Sequence, residues 1–467
     1  MPSPIPKPKG VPILGNVFDL DGNNTWGSFN KLAKDYRPIF KINILGKDIV
    51  FITGAHLLEE VCDETRFRKC VAGPILAIRD AVNDSLFTAK HTPEEIISWG
   101  IAHRIMAPLV SWEAVEQVFS GIQETTDDLI KKWTTGSRQR INVTNDLDRC
   151  NHAANMLCFF DQRVHIMEGP EPAVIKAMDC ATNEAMHRPF RLRIVNWLFH
   201  SRKWNAWIKT MRDYGKDIVE TRRANPTDKK DMLYALLEGK DPETGKGLTD
   251  SQVLDEIINI FIGSATAPNL IAFAMYYLAN NPDAAAKARE ELDAVVGGPS
   301  VRIEHEHLAR LPYTEGVLRE SFRLSGVAPG FNIEPIPENE GPVLLAGGEY
   351  EVPKGQALIA ILAAVNRDPA VFEDPEAFKP ERMVGENFDR LPKGVKKGFG
   401  NGKRECIGKR YAWQWSFMVL ASILKDVEFE LADPNYKVGN DGVNCNGAFS
   451  VRPQEMFVVT GPRARAA

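Results

Sequence analysis

From Ile257 to Pro282 the chain carries no charged side chain, and this run restricts the fold more than any other feature. A helix of about 20 apolar residues can cross a bilayer, so the run reads as a membrane span or as a helix that is apolar on every side at the centre of a large core. Asn259, Ser264, Thr266, Pro268 and Asn269 interrupt it in mid-chain, which favours the core helix. Pro268 has no N–H for the carbonyl of Ser264, so the helix is expected to kink there and leave that acceptor free. A chain of 467 residues, 44% hydrophobic and 25% charged, has the apolar material for such a core.

A loop supplies the second constraint. Phe399-Gly400-Asn401-Gly402-Lys403-Arg404-Glu405-Cys406-Ile407-Gly408 isolates one cysteine ahead of an apolar helix. Glycines at 400, 402 and 408 let the backbone turn where a Cβ would clash, and let a flat cofactor approach. Arg404 places a positive charge two residues before the sulfur, and cations, backbone N–H groups or a metal stabilise a thiolate. The seven cysteines (62, 70, 150, 158, 180, 406 and 445) are odd in number and lack C-x-x-C pairs. This argues for free thiols in a reducing compartment and against a zinc site or disulfide framework. Taken alone, Cys406 also reads as an ordinary buried thiol.

Phe399, Gly402, Arg404, Cys406 and Gly408 resemble the proximal haem loop, F-x-x-G-x-R-x-C-x-G, of the cytochrome P-450 superfamily. The resemblance implies a mainly α fold with small β-sheets, arranged around the long central helix and a buried haem b. It implies one haem-thiolate domain over residues 1–467, with Cys406 as the axial metal ligand and Gly400 beside it in the cofactor loop.

The net charge of −5 gives no reason to expect a nucleic-acid partner. The proline-rich start, Met1 to Gly15, lacks the apolar core of a signal peptide. A cytoplasmic protein without a membrane anchor is expected, and the sequons at Asn23, Asn83 and Asn142 read as chance matches.

Taken in order, Gly27 to Tyr36 reads as a short helix, and Ile39 to Ile44 alternates like a strand. Leu45 to Asp48 turns and Ile49 to Ile52 returns, so 39–52 reads as a hairpin with Lys47 and Phe51 near its rim. Ala55 to Asp63 is the next helix. Residues 62–88 and the string Gly239 to Gly245 resemble one branch of the superfamily: soluble fatty-acid hydroxylases whose haem domain is naturally fused to a reductase. In that branch the positions of Lys47 and Phe51 hold an arginine and a tyrosine that bind the substrate carboxylate. Here the cation stays and the phenol is lost, so Lys47 is either a point charge for an acid, without arginine's fork, or a solvated turn residue.

The resemblance further implies that Phe87 overhangs the haem, that Trp99 and His103 reach its propionates, and that Lys69 contributes to cofactor binding. Trp99 and His103 lie four apart on one helix face. From Trp112 to Ala224 the chain reads as successive helices, broken near Gly136 and at Gly169 to Pro172. In the family this region roofs the substrate channel. Its aromatics Phe159, Phe160, Phe190, Trp197, Phe199, Trp204 and Trp207 read as channel lining or as core.

Within the charge-free helix, Ile262 to Pro268 stands where the family carries a small residue, glycine, any residue, an acid and threonine. Gly263, Ser264 and Thr266 fit that pattern. Ala265 replaces the acid, and Ile262 replaces the small residue against the substrate. Such an acid delivers protons so that O–O cleavage is productive rather than releasing peroxide. The acid-free string is locally similar to fungal haem-thiolate nitric oxide reductases. The expectation is that the freed Ser264 carbonyl and Thr266 order a water chain in place of the acid; otherwise Pro268 only bends the helix.

Glu304-His305-Glu306-His307 places its histidines two apart, facing different ways on a helix, and reads as a solvated face. Leu311 to Tyr313 opens a helix carrying Glu320 and Arg323, which match the family's E-x-x-R pair. Phe378 to Arg382 matches the downstream motif that supplies Arg382. A buried charged trio must be fully bonded, which suits a scaffold for the cysteine loop. Val327 to Phe331 turns into a strand that, in the family, lines the pocket beside the haem, with Ala328 on its wall and Gly330 leaving room. Gly347 to Tyr350 and Ala357 to Ile361 read as a hairpin. Tyr411, Trp415, Met418 and Leu424 point to the core, and Val427 to Leu431 and Ala448 to Val459 read as closing strands.

These features imply insertion of one oxygen atom from O2 into an apolar small molecule, a fatty acid or acyl-like compound. Residues 1–467 contain no flavin-binding region, so NADPH and flavins act through a reductase, separate or fused. The missing acid keeps other haem-thiolate chemistries open: a peroxide-driven oxygenase, a small-ligand reductase, an isomerase or a dehydratase. A non-catalytic haem sensor is the reading outside enzymology.

Overall fold

The computed structural model describes residues 2–464 apart from 23, 45, 299–300, 440–443 and 448. Its centre is the charge-free run. A capping box between Thr249 and Gln252 starts the helix Asp250–Ser264, and a second helix, Thr266–Ala279, continues it beyond a one-residue break at Ala265. The whole stretch is long and apolar enough to cross a bilayer, but 67% of its most apolar part is buried inside the protein. Thr266–Ala279 packs on the helices Val143–Phe160, Pro312–Ser325 and Lys409–Asp426. Ile271, Phe273, Met275, Trp415, Val419 and Leu424 meet in the resulting core.

The kink falls at Ala265 rather than at Pro268 itself. Breaking there puts Pro268 into the first turn of the second helix, where a main-chain N–H has no helical partner and proline costs little.

A five-stranded sheet sits apart from this core. The hairpin Ile39–Ile44/Lys47–Ile52 pairs in parallel with Leu358–Ile361. That strand then pairs antiparallel with Gly330–Pro335, and Phe67–Lys69 forms the edge. Phe51 is not at the rim: it is fully buried, 4.5 Å from the Phe29 ring and 4.9 Å from Phe40. Here the strand is buried on both faces, with Val50 and Ile52 in one apolar cluster and Phe51 in another with Phe29 and Phe40. Lys47 is exposed at the start of its strand, and Leu45 lies outside the described residues.

Two further strand readings change. The second hairpin pairs Val343–Leu345 with Tyr350–Val352 around a turn at Ala346–Gly348, where Gly347 and Gly348 both have positive φ. Ala357 to Ile361 instead enters the large sheet. The closing region contains Val451–Pro453 and Phe457–Pro462 as separate strands, and Ala448 lies outside the described residues. Phe457–Pro462 pairs on one side with Val427–Leu431 and on the other with Gln139–Asn142. This last strand follows Gly136, where only a break was expected. Asn23 also lies outside the described residues.

Among the aromatics between 112 and 224, Phe159, Phe160 and Trp204 are buried and Trp207 is half-buried against the core. Phe190, Trp197 and Phe199 are exposed to solvent.

Candidate active site

The cysteine loop is shaped by its own main chain. Cys406 N–H donates to the Phe399 carbonyl at 2.8 Å, closing a turn in which Gly400 and Gly402 take φ of 86° and 58°. These values lie in the left-handed region that glycine enters without strain. A Cβ on Gly402 would meet the Glu64 carboxylate at 2.1 Å, and that carboxylate accepts the Lys403 N–H at 2.9 Å. The Phe399 ring wedges against Phe322 at 5.1 Å and Trp413 at 6.4 Å.

Of the seven cysteines, Cys406 is the exposed one. Enough protein still surrounds it that desolvation pushes its thiol up, while the Gly408 N–H, Lys409 and Lys69 pull it down. The sulfur is thus accessible at the start of the apolar helix Lys409–Asp426, with Lys69 and Lys409 as the cations near it.

A cationic cluster adjoins the loop. Arg404 donates to the carbonyls of Leu86 at 3.4 Å and Ala89 at 3.1 Å, and lies 4.5 Å over Trp99. Trp99 stacks on His103 at 4.7 Å. Lys69 donates to the Phe87 carbonyl at 2.5 Å and sits 4.5 Å over the Phe87 ring. Burial and the charge of Arg404 push the Lys69 ammonium down to about 7. Burial likewise lowers His103, with Arg104 and Arg404 adding to the effect. The structure therefore brings Lys69, Phe87, Trp99, His103 and Arg404 together. Two cations that both donate to main-chain carbonyls, one of them depressed by the other, suit an added anion.

The break in the central helix forms a second accessible surface. Gly263 is exposed in the middle of a core helix, with nothing within 4 Å of where its Cβ would lie. Ser264, Ala265 and Thr266 are half-buried, between buried Phe261 and Ile262 on one side and Ala267 and Pro268 on the other. The Ser264 carbonyl is not free: Asn151 Nδ2 donates to it at 3.1 Å. Thr266 Oγ1 donates back to the Gly263 carbonyl at 3.3 Å, and Ser264 Oγ to Phe261 at 2.9 Å. Asn269 Nδ2 donates to the Ala265 carbonyl at 3.0 Å and to Ser450 Oγ at 3.1 Å. The second helix packs directly on Lys409–Asp426, the helix that leaves the cysteine loop.

Between these surfaces, Phe87 meets Phe449 edge-on at 5.6 Å, and its neighbour Leu86 donates its N–H to Glu256 at 2.9 Å. Burial pushes the Glu256 carboxyl up to about 8. Ala328 is half-buried. Gly330 does not open a pocket: a Cβ there would meet the Ala360 carbonyl at 2.1 Å and the Trp26 ring at 3.1 Å. Its missing side chain admits the neighbouring strand. Lys47 and Phe51 are not brought together, one being exposed and the other buried in the sheet.

Behind the loop stands the charged trio. Arg323 grips both Glu320 oxygens at 2.7 and 2.8 Å, and Arg382 Nε lies 3.4 Å from Glu320. Glu320 and Arg323 are 0% and 3% exposed, so their bonding decides whether the burial is tolerable. It is complete: Arg323 also donates to the carbonyls of Asn366, Pro375 and Ala377, and Lys379 N–H donates to Glu320 at 3.0 Å. His305 and His307 lie outside this assembly, and no metal-holding cluster of His, Cys, Asp or Glu occurs among the described residues.

Asn151 and Glu256 escape sequence reading. The one signal for Asn151 was indirect: a proline in a buried helix implies that some donor must reach the orphaned carbonyl, without saying which. The accessible thiol, the glycines at 400 and 402 and the cations Lys69 and Arg404 fit a haem.

Comparison with known proteins agrees with this geometry. A family model described as Cytochrome P450 matches residues 5–453. The chain is 37% identical over 445 residues to a bifunctional cytochrome P450/NADPH–P450 reductase of Aspergillus oryzae, covering 94% of this chain and 40% of that protein. It is 36% identical over 466 residues to the bifunctional cytochrome P450/NADPH–P450 reductase ascE of Acremonium egyptiacum, covering 97% and 43%. It is also 36% identical over 443 residues to the self-sufficient cytochrome P450 monooxygenase CYP505AG1 of Oidiodendron maius, covering 93% and 40%. The chain thus spans less than half the length of these relatives.

Proposed function

Because the chain belongs to the cytochrome P450 family, we propose that it is a haem-thiolate monooxygenase acting on a fatty acid or acyl-like molecule. The observation that carries this reading is the accessible Cys406 thiol in its glycine turn, beside the cationic cluster of Lys69 and Arg404. Bound there, haem supplies the redox centre for dioxygen, and thiolate donation favours O–O cleavage. One oxygen atom enters a C–H bond of the substrate. The other leaves as water, with two electrons from NADPH and two protons from solvent.

The chain's own residues bind, orient and exclude water. Cys406 would hold the haem iron, in the loop of Phe399, Gly400 and Gly402. Lys69, Arg404, His103 and Trp99 would hold the propionates, whose charge the cations would neutralise. Phe87, Ala328 and Ile262 supply apolar walls, and Gly263 leaves space opposite them. Thr266 Oγ1 presents the hydroxyl nearest the missing acid, and Lys47 is a surface cation for a carboxylate. Residues 1–467 act as one haem-thiolate unit in the cytoplasm, receiving electrons from a flavin reductase. Two relatives are bifunctional cytochrome P450/NADPH–P450 reductases, which favours a reductase on the same chain.

The test supplies haem-loaded protein with a flavin reductase, NADPH, isotope-labelled dioxygen and pooled fatty acids. Label in hydroxylated acid supports the reading. NADPH consumed with label only in hydrogen peroxide contradicts it and favours the peroxide-driven or small-ligand chemistries, which Ala265 in place of an acid already suggests.

A further inference from the structure

We propose that Asn151 is a positioning residue for the central-helix break, replacing with its side-chain amide the main-chain donor that Pro268 removes. In an unbroken helix the Ser264 carbonyl would accept from residue 268, and Pro268 has no N–H to give. Asn151 Nδ2 lies 3.1 Å from that carbonyl. It is 5% exposed, so the bond forms where water cannot easily replace it.

The helix that carries Asn151 is fixed against the central helix one turn before the break. Its next residue, His152, stacks on Phe261 at 4.9 Å and bonds the Tyr214 hydroxyl at 2.8 Å. Asn151 therefore cannot swing away without disturbing a packed ring pair. The adjoining carbonyl, on Ala265, is held by a second amide, Asn269, which Ser450 ties to the Val327 carbonyl at 3.1 Å. Two neutral amides thus clamp two successive carbonyls.

The clamp fixes the accessible surface at Gly263 and the Thr266 hydroxyl without any ionisable side chain at position 265. Asn151 touches no substrate in this account and acts through Ser264. Only the turnover readout below rests on the monooxygenase reading.

A double-mutant cycle tests the proposal, with Asn151→Ala made in the natural chain and in Pro268→Ala, where residue 268 regains its N–H. Amide hydrogen exchange over residues 262–270 is followed in the haem-loaded protein, together with the ratio of product to peroxide. Asn151→Ala alone is expected to speed exchange in that segment about five-fold, the size of losing one neutral hydrogen bond, and to raise the peroxide share. In the Pro268→Ala background the same substitution should change both by less than about two-fold. Equal effects in the two backgrounds would overturn the proposal, because Asn151 would then only pack. Should Asn151→Ala fail to fold alone, recovery with Pro268→Ala gives the same support, and failure in both backgrounds overturns it. An exchange pattern as expected without labelled product would retire the monooxygenase reading and leave the role of Asn151 standing.

Discussion

The cysteine loop and the central-helix break are both accessible surfaces within a packed protein, yet their shapes arise differently. The turn of the loop is local, made by the Cys406–Phe399 bond and two glycines, and Glu64, Leu86 and Ala89 then tie its side chains and rim to the rest of the protein. The break is held from a distance, by Asn151, 113 positions before Ser264, and by Ser450, 181 positions after Asn269. Local main-chain shape leaves a spacing in the sequence, whereas a remote side chain leaves none. The same contrast predicts where each surface will fail: the loop through its scaffold and glycines, the break through single side chains on other helices.

The largest effect is expected behind the loop. Glu320→Ala strands Arg323 as a buried, unpaired charge and takes a neighbouring anion from half-buried Arg382, and breaking such a buried pair costs about 3–5 kcal/mol. Denaturant unfolding of the variant measures it, and a loss below about 1 kcal/mol would mean that the loop does not depend on this scaffold.

Next comes the loop itself. Gly402→Ala forces a φ of 58° on an alanine and displaces Glu64 from the Lys403 N–H. About 1–2 kcal/mol is expected from the left-handed backbone. Adding Glu64→Ala separates the two terms, since removing the carboxylate relieves the contact and leaves the φ strain. A double variant as stable as the natural chain would show that the turn tolerates a side chain.

An effect that depends on pH belongs to the central helix. Burial raises Glu256 to about 8 from an ordinary value of 4.5. Between those values the folded protein keeps a proton that the unfolded chain has released, so stability falls as pH rises through that window and levels off above it. Glu256→Gln has no such proton. Its stability relative to the natural chain should rise between pH 5 and pH 8, as urea midpoints would show, and parallel profiles would contradict the assignment. Least of all is expected from Lys47→Ala, an exposed position where stability should move within about 0.5 kcal/mol. A large loss of fatty-acid affinity there, by titration, would restore Lys47 to the binding machinery.

Much of the architecture could be read from the sequence because it follows from spacing. The charge-free run places the central helix, and Glu320 and Arg323 three apart on a helix form their ion pair. Pro268 announced a break but not its position, since shifting the break to Ala265 puts proline into a first turn. Phe51 and Gly330 were misplaced for one physical reason: packing against other elements decides what is buried, here the helix residue Phe29 and the strand residue Ala360. The strand Gln139–Asn142 was missed because its pairing partner is Phe457–Pro462, near the other end of the chain.

The most direct test of the account is the absorption spectrum of the reduced, carbonyl-bound, haem-loaded protein beside its Cys406→Ser variant. Thiolate ligation by Cys406 predicts a strongly red-shifted Soret band in the natural chain that disappears in the variant, with the variant still folded by circular dichroism. The same band in both proteins would contradict the assignment of Cys406 and, with it, the site built around the loop.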